Sequence, residues 1–143
     1  MRIRFFVAFS IAAIAIASVA QPRAVAPPFL VKLLPGYALH AGRSLDSITG
    51  KIVKPGGLTI TFDLVEAYTE CKSCGWTDGE LWRKRQFVNG EEAIFVFTKS
   101  KRLVVSFPHS HANFYASIHS ESDMADMLLI LSTFEATKDS SSK

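Results

Sequence analysis

The chain has 143 residues, of which 48% are hydrophobic, and it carries 16 lysines and arginines against 13 aspartates and glutamates. A chain of this length forms one domain around one hydrophobic core. Its charge is too evenly balanced to indicate a nucleic-acid-binding protein.

The first twenty residues have the composition of a secretory signal peptide. Arg2 and Arg4 precede an apolar run over residues 5–17, and small residues stand directly before Gln21. This pattern predicts cleavage and export to the periplasm or the extracellular space. An uncleaved membrane anchor is the alternative, but the run is shorter than the ~20 residues of a membrane span, which favours cleavage. Removal of residues 1–20 would leave 14 basic against 13 acidic side chains, a net charge of about +1.

Composition also indicates where the folded domain begins and ends. Residues 21–36 contain four of the six prolines and are predicted to form a linker, because proline excludes a regular helix. Residues 138–143 are a polar tail that we expect to be disordered. A single α+β domain is therefore predicted over residues 30–137.

Hydrophobic alternation within this domain predicts an antiparallel meander of about six strands. The clearest alternation is "LTITFDL", which follows a Pro-Gly-Gly turn and predicts the second strand of a hairpin. Asn89 and Gly90 separate two further strand-like runs and are typical of a two-residue hairpin turn, since both positions favour positive φ. The predicted strands lie within residues 50–54, 58–64, 80–98, 102–107 and 112–118, and the turn divides the third range into two strands.

The last predicted element is a helix within "SESDMADMLLILSTFEA", residues 120–136. Ser120 is followed three residues later by Asp123, which is the spacing of a capping box. Apolar residues then recur at helical spacing and predict a stripe buried against the sheet. This predicted stripe consists of Met124, Met127, Leu128 and Leu131, and Phe134 extends it.

Cys71 and Cys74 are the only cysteines in the chain, and they admit three interpretations. In an exported protein, two nearby cysteines favour a disulfide, which in so short a ring would stabilise the fold by roughly 2 kcal/mol before strain. A thiol–disulfide redox centre would need a lowered thiol pKa, and Glu70 beside Cys71 opposes that. The disulfide is the preferred interpretation.

The third interpretation is a zinc site. Cys71 and Cys74 have the spacing of half such a site, and His109 and His111 could supply the other half. A His-x-His pair on a strand places both rings on the same face, so both could reach one ion. The separation of the two pairs is longer than compact zinc fingers use, and solvated histidines beside a turn are the simpler interpretation.

Residues 82–87, "WRKRQF", combine positive charge with aromatic rings. On a strand Arg83 and Arg85 would point to one side, while Trp82 and Lys84 would point to the other. We therefore take Trp82, Arg83, Lys84 and Arg85 as a candidate surface for an anionic ligand or a partner protein. A solvated strand face, or a charged edge that prevents aggregation, is the alternative.

The segment "RLVVSFPHSHANFYASIHSESDMADMLLILSTFEA" resembles the end of small PsbP/Mog1-like domains. In that family a strand leads through a short acidic turn into a helix and a closing Ser-x-Phe phrase. The stretch "LPGYALHAGRSLDSITGKI" also resembles the N-terminal part of short exported bacterial proteins. The first resemblance implies an antiparallel sheet with flanking helices and a binding or scaffolding role, with no catalytic residues to transfer.

These observations predict an exported α+β domain, an antiparallel sheet packed by a C-terminal helix. No catalytic motif, phosphate-binding loop or calcium loop occurs in the sequence, so a non-catalytic binding or scaffolding role without a cofactor is expected. The expected ligand is a protein or an envelope component, and not nucleic acid. A redox or zinc protein centred on Cys71 and Cys74 is the alternative.

Overall fold

The computed structural model describes residues 26–43, 47–65 and 79–137. Within them it contains nine strands, one α-helix, which we label α1 (Glu121–Leu131), and a single 3-10 turn at Pro108–Ser110. No helix in these residues is long and apolar enough to cross a membrane. The strands are β1 (Phe29–Leu30), β2 (Ala38–Arg43), β3 (Ser47–Val53), β4 (Thr59–Val65), β5 (Glu80–Val88), β6 (Glu91–Thr98), β7 (Arg102–Phe107), β8 (Ala112–Ser117) and β9 (Glu135–Ala136).

Seven of the strands form one antiparallel sheet in the order β2-β3-β4-β8-β7-β6-β5. The pairing of β4 with β8 joins two meanders, one of three strands and one of four. β1 and β9 form a separate antiparallel ribbon. An antiparallel sheet with a C-terminal helix was expected, but the prediction of about six strands omitted β1, β2 and β9 and described a single meander.

The two predicted hairpins are present, and each closes on local hydrogen bonds. β3 and β4 are joined by a turn in which the Gly57 amide donates to the Lys54 carbonyl at 2.9 Å. β5 and β6 are joined by Asn89 and Gly90, whose φ angles are 48° and 86°. Positive φ at both central residues is the geometry that an Asn-Gly turn favours, so this turn fixes the register of β5 against β6.

The helix starts as the sequence predicts. The Ser120 hydroxyl accepts a hydrogen bond from the Asp123 amide, and the Asp123 carboxylate accepts one from the Ser120 amide, which completes a capping box. Its buried positions are Met127, Ile130 and Leu131, whereas Leu128 is 37% exposed. The predicted stripe was therefore wrong at Leu128, because the helix is rotated so that Ile130 faces the sheet instead.

The helix covers one face of the sheet, which we call the core face. Five phenylalanines from four strands and the segment after the helix form the centre of this core, with neighbouring ring centroids between 3.8 and 5.9 Å apart. Edge-to-face and offset contacts at such distances suit the charge distribution of aromatic rings. The five residues are Phe29, Phe62, Phe107, Phe114 and Phe134.

Phe29 lies within the segment that the sequence predicts as a linker. It is 3% exposed, and it contacts Phe62, Phe114 and Phe134. The described part of residues 21–36 therefore contributes to the core from β1 onward. The opposite side of the sheet, which we call the second face, carries a smaller apolar cluster formed by Ile94, Val96, Val104 and Tyr115.

Candidate functional site

The most exposed element of the sheet is β5, the last strand in the sheet order. Its first eight residues are all exposed, and only Val88 is buried. Three large apolar side chains are among the exposed residues: Leu81 is 56% exposed, Trp82 40% and Phe87 76%. Large apolar side chains that are exposed along one strand, beside charged residues, indicate a candidate interaction surface.

The register of β5 against β6 assigns the side chains of β5 to the two faces. Arg83 pairs with Val96 and Arg85 pairs with Ile94, so both arginines lie on the second face. Lys84 pairs with Phe95, a core residue, and so points to the core-face side. The two arginines and Lys84 therefore lie on opposite sides of β5.

Each arginine has a carboxylate partner within the sheet. The Arg83 Nη2 lies 3.1 Å from the Glu80 Oε2, and the Arg85 Nη1 lies 3.3 Å from the Glu92 Oε1. Such exposed ion pairs stabilise a fold by at most about 1 kcal/mol. Their main effect is to hold the two guanidinium groups along the second face.

Trp82 is held in place by an aromatic partner. Its ring stacks on Phe97 of β6 with a centroid separation of 5.9 Å and an interplanar angle of 30°. A register shift between Glu80 and Trp82 marks a bulge at this point of the strand. Bulges redirect side chains at sheet edges. The stacking contact with Phe97 holds the Trp82 ring in position without a ligand, which lowers the entropic cost of binding.

The structure thus brings together the four predicted surface residues, Trp82, Arg83, Lys84 and Arg85, on a single strand. Leu81 and Phe87 were not among the residues predicted from the sequence. The position of Phe87 could have been inferred from the hairpin. The Asn-Gly turn pairs Val88 with Glu91, and because Val88 is buried, the side chain of Phe87 points to the opposite face of the strand. We call residues 81–87 the β5 surface.

A second polar group lies on the second face around Asp63. Asp63 pairs with Thr49 on one side and Asn113 on the other. Its Oδ1 is buried and accepts no hydrogen bond from the described residues. Burial therefore raises the pKa of the Asp63 carboxyl, and interaction with the Asn113 side chain opposes this shift only partly. Burial, and then the charge of Asp63, also raise the pKa of Tyr115.

A third polar group connects the helix to the β3–β4 turn. The Tyr37 hydroxyl donates a 2.8 Å hydrogen bond to the Asp126 Oδ2, and the Lys54 Nζ lies 3.5 Å from the same oxygen. The Lys54 Nζ also lies 5.4 Å from the centre of the Tyr37 ring. The polar groups of Tyr37, Lys54 and Asp126 thus contact one another within the fold, and these contacts stabilise the position of the helix.

The histidines of the predicted zinc site do not lie on a strand. His109 is in the 3-10 turn and is exposed, and His111 caps that turn with a left-handed φ of 53°. The expectation that a strand places both rings on one face was therefore wrong. Cys71 and Cys74 lie outside the described residues, so the disulfide, redox and zinc interpretations stay predictions. Among the described residues no three metal-ligating side chains are grouped.

Comparison with known protein families, curated proteins and solved structures finds no match to this chain. The geometry of the β5 surface is therefore the basis for the function of this protein proposed below.

Proposed function

We propose that the protein is an exported, non-catalytic binding domain that recognises a partner protein or an envelope component through the β5 surface. One observation carries the proposal: three large apolar side chains, Leu81, Trp82 and Phe87, are exposed together with Arg83 and Arg85 on one strand. Tryptophan and arginine are the residues most enriched among those that dominate protein–protein binding energies.

A charged edge that only prevents aggregation is the competing explanation of the same strand. Lysine and arginine are sufficient for that purpose, and large exposed apolar residues work against it. The exposure of Phe87, at 76%, therefore favours binding over protection. The binding role that a PsbP/Mog1-like resemblance implies is of the same kind.

Site-specific photocrosslinking in the cells that produce the protein tests the proposal. A benzophenone amino acid placed at Phe87 should give a discrete covalent adduct, because this side chain would contact the partner. The same probe at Leu129 is the matched control, since Leu129 is 56% exposed but lies on the helix. Trp82→Ala should weaken the Phe87 adduct. An adduct from Leu129 alone, or none from Phe87, would contradict the proposal.

A redox or zinc function centred on Cys71 and Cys74 is the alternative function. Replacement of both cysteines by serine separates it from the binding role. A binding domain should keep its Phe87 adduct in the double variant, whereas a redox or zinc protein should lose its activity.

A further inference from the structure

We infer that the β5 surface binds its partner by strand addition, in which an extended acidic segment of the partner pairs antiparallel with the outer side of β5. This inference rests on the proposed function, because it specifies how the same surface binds. β5 is nine residues long and ends the sheet order, and in residues 26–43, 47–65 and 79–137 no strand pairs with its outer side. An exposed sheet edge of this length is a template for an added strand.

The hairpin turn determines which backbone groups of β5 point outward. The residues that flank a two-residue turn, Val88 and Glu91, form a pair that exchanges both backbone hydrogen bonds. Such pairs alternate along an antiparallel ladder with pairs that exchange none. The N–H and C=O groups at positions 83, 85 and 87 consequently point away from β6, at the spacing that an incoming strand requires.

The same alternation predicts which side chains meet the incoming strand most closely. Opposite positions 82, 84 and 86 the incoming strand would form pairs without hydrogen bonds, in which side chains approach most closely. Lys84 makes no ion pair or side-chain hydrogen bond with any described residue, so it favours an acidic residue opposite it. Trp82 and the exposed Phe87 favour apolar residues.

These preferences define a short recognition pattern. Because the incoming strand runs antiparallel, its first residue lies opposite Phe87, its fourth opposite Lys84 and its sixth opposite Trp82. The segment should therefore read apolar, any, any, acidic, any, apolar. Asp or Glu at the fourth position would supply a counter-charge for Lys84.

A second copy of the chain fits the same edge poorly. In the antiparallel register that overlaps two copies of β5 most fully, Lys84 lies opposite Lys84 of the other copy, and Arg83 lies opposite Arg85. Like charges placed directly opposite each other destabilise a strand pair. The charge of β5 therefore favours an acidic partner over self-association.

Fluorescence anisotropy with the full chain and a labelled threonine-based decapeptide tests the charge preference. The peptide carries valine, glutamate and tyrosine at the first, fourth and sixth positions of the pattern, and a second peptide has lysine at the fourth. The glutamate peptide should bind up to about fivefold more tightly, and Lys84→Glu should invert this preference. Lys51→Glu is the matched control, because Lys51 is exposed on β3, and it should leave the preference unchanged.

N-methylation of single peptide amides tests strand addition itself. Methyl groups at the first, third and fifth amides should each weaken binding about tenfold, since these amides donate to β5. Methyl groups at the second, fourth and sixth amides should have little effect, because these amides point away from β5. In the protein, Phe87→Pro should weaken binding more than Phe87→Ala, since both lose the ring but only proline lacks the outward N–H.

The contrary results distinguish failure of strand addition from failure of the proposed function. Equal effects at all six amides, or no binding of the glutamate peptide, would overturn strand addition, and a persisting Phe87 photoadduct would then leave the proposed function intact. A concentration-dependent dimer that Phe87→Pro disrupts would assign the edge to a second copy and overturn the acidic segment. Thermal unfolding of the Pro and Ala variants shows whether both remain folded.

Discussion

Phe107 and Phe134 stack with their ring planes 15° apart and their centroids separated by 3.8 Å. Phe107 ends β7, and Phe134 follows the helix, so this contact joins the exit of the helix to the sheet. Both residues are fully buried. Because Phe134 also contacts Phe29 and Phe114, one ring connects the helix, the sheet and the β1–β9 ribbon.

Phe134→Ala should lower the free energy of unfolding by about 3–5 kcal/mol, because it removes a buried ring and leaves a cavity among aromatic neighbours. Urea denaturation followed by circular dichroism measures the loss. Leu129→Ala is the control, and this exposed helix position should change the free energy of unfolding by less than about 0.5 kcal/mol. Equal losses in both variants would show that the aromatic cluster does not dominate the core.

Tyr37→Phe should cost about 1–3 kcal/mol at neutral pH, since it removes a hydrogen bond to the Asp126 carboxylate. Burial, followed by the hydrogen bond and the charge of Asp126, raises the pKa of Tyr37. An unfolded tyrosine deprotonates near pH ~10 and the native one does not, so wild-type stability should fall as the pH rises above about 10.

Urea denaturation at about pH 8 and pH 10.5 compares the two proteins. The fall in stability should be smaller in Tyr37→Phe, which has no phenol at this position. Lys54→Gln is a control for the partly exposed ion pair with Asp126, and it should cost at most about 1 kcal/mol. If stability falls equally with pH in wild type and Tyr37→Phe, the fall does not come from deprotonation of Tyr37.

Asp63→Asn should stabilise the protein at neutral pH, because it removes a half-buried charge whose Oδ1 accepts no hydrogen bond from the described residues. The pKa of the native carboxyl is raised, so the native state binds more protons than the unfolded state just above the unfolded pKa of about 3.9. Wild-type stability therefore rises as the pH falls through the native pKa, and the advantage of Asp63→Asn should shrink. Thermal unfolding between neutral pH and about pH 4 measures both effects, and a variant less stable at neutral pH would contradict them.

Gly50→Ala should destabilise the sheet by about 3 kcal/mol. A Cβ at Gly50 would lie within van der Waals overlap of the His40 carbonyl oxygen and the Phe62 ring, and the backbone oxygen cannot rotate away. Gly57→Ala is the matched control, since its nearest neighbour is the flexible Lys54 side chain at 3.2 Å. Chemical denaturation should separate the two variants clearly, and similar costs would argue against close packing of Phe62 over Gly50.

The intact mass of the protein isolated from the cells that produce it tests the predicted export, the predicted processing and the cysteine pair together. We expect a chain that begins at Gln21, has a mass two hydrogens below that of the reduced form, and resists alkylation without reductant. Two thiols that react directly, or only after chelation, would instead favour the redox or zinc interpretation.

Local signals in the sequence were sufficient wherever a few neighbouring residues determine the geometry. The Ser120–Asp123 capping box and the Asn89-Gly90 turn were both confirmed, because each depends on hydrogen bonds or φ angles within a four-residue window. The alternation in residues 58–64 predicted β4 for the same reason. These features determine where the elements are and which face of each strand is apolar.

Elements that depend on distant partners were not predictable in this way. β2, with the sequence "ALHAGR", has weak strand propensity and forms because it pairs along its length with β3. The spacing of apolar residues predicts that Leu128 is buried, but the helix packs on the sheet with Ile130 buried in its place.

The sequence by itself determined the basic and aromatic composition of residues 82–87, and it placed Arg83 and Arg85 on one side of a strand. Only the tertiary structure decided that this strand is the last of the described sheet, because the pairing of β4 with β8 joins residues about fifty positions apart and leaves β5 at the end of the order. Contacts between such distant segments leave no local pattern in the sequence. Exposure of Phe87, and with it the binding hypothesis, follows from that topology.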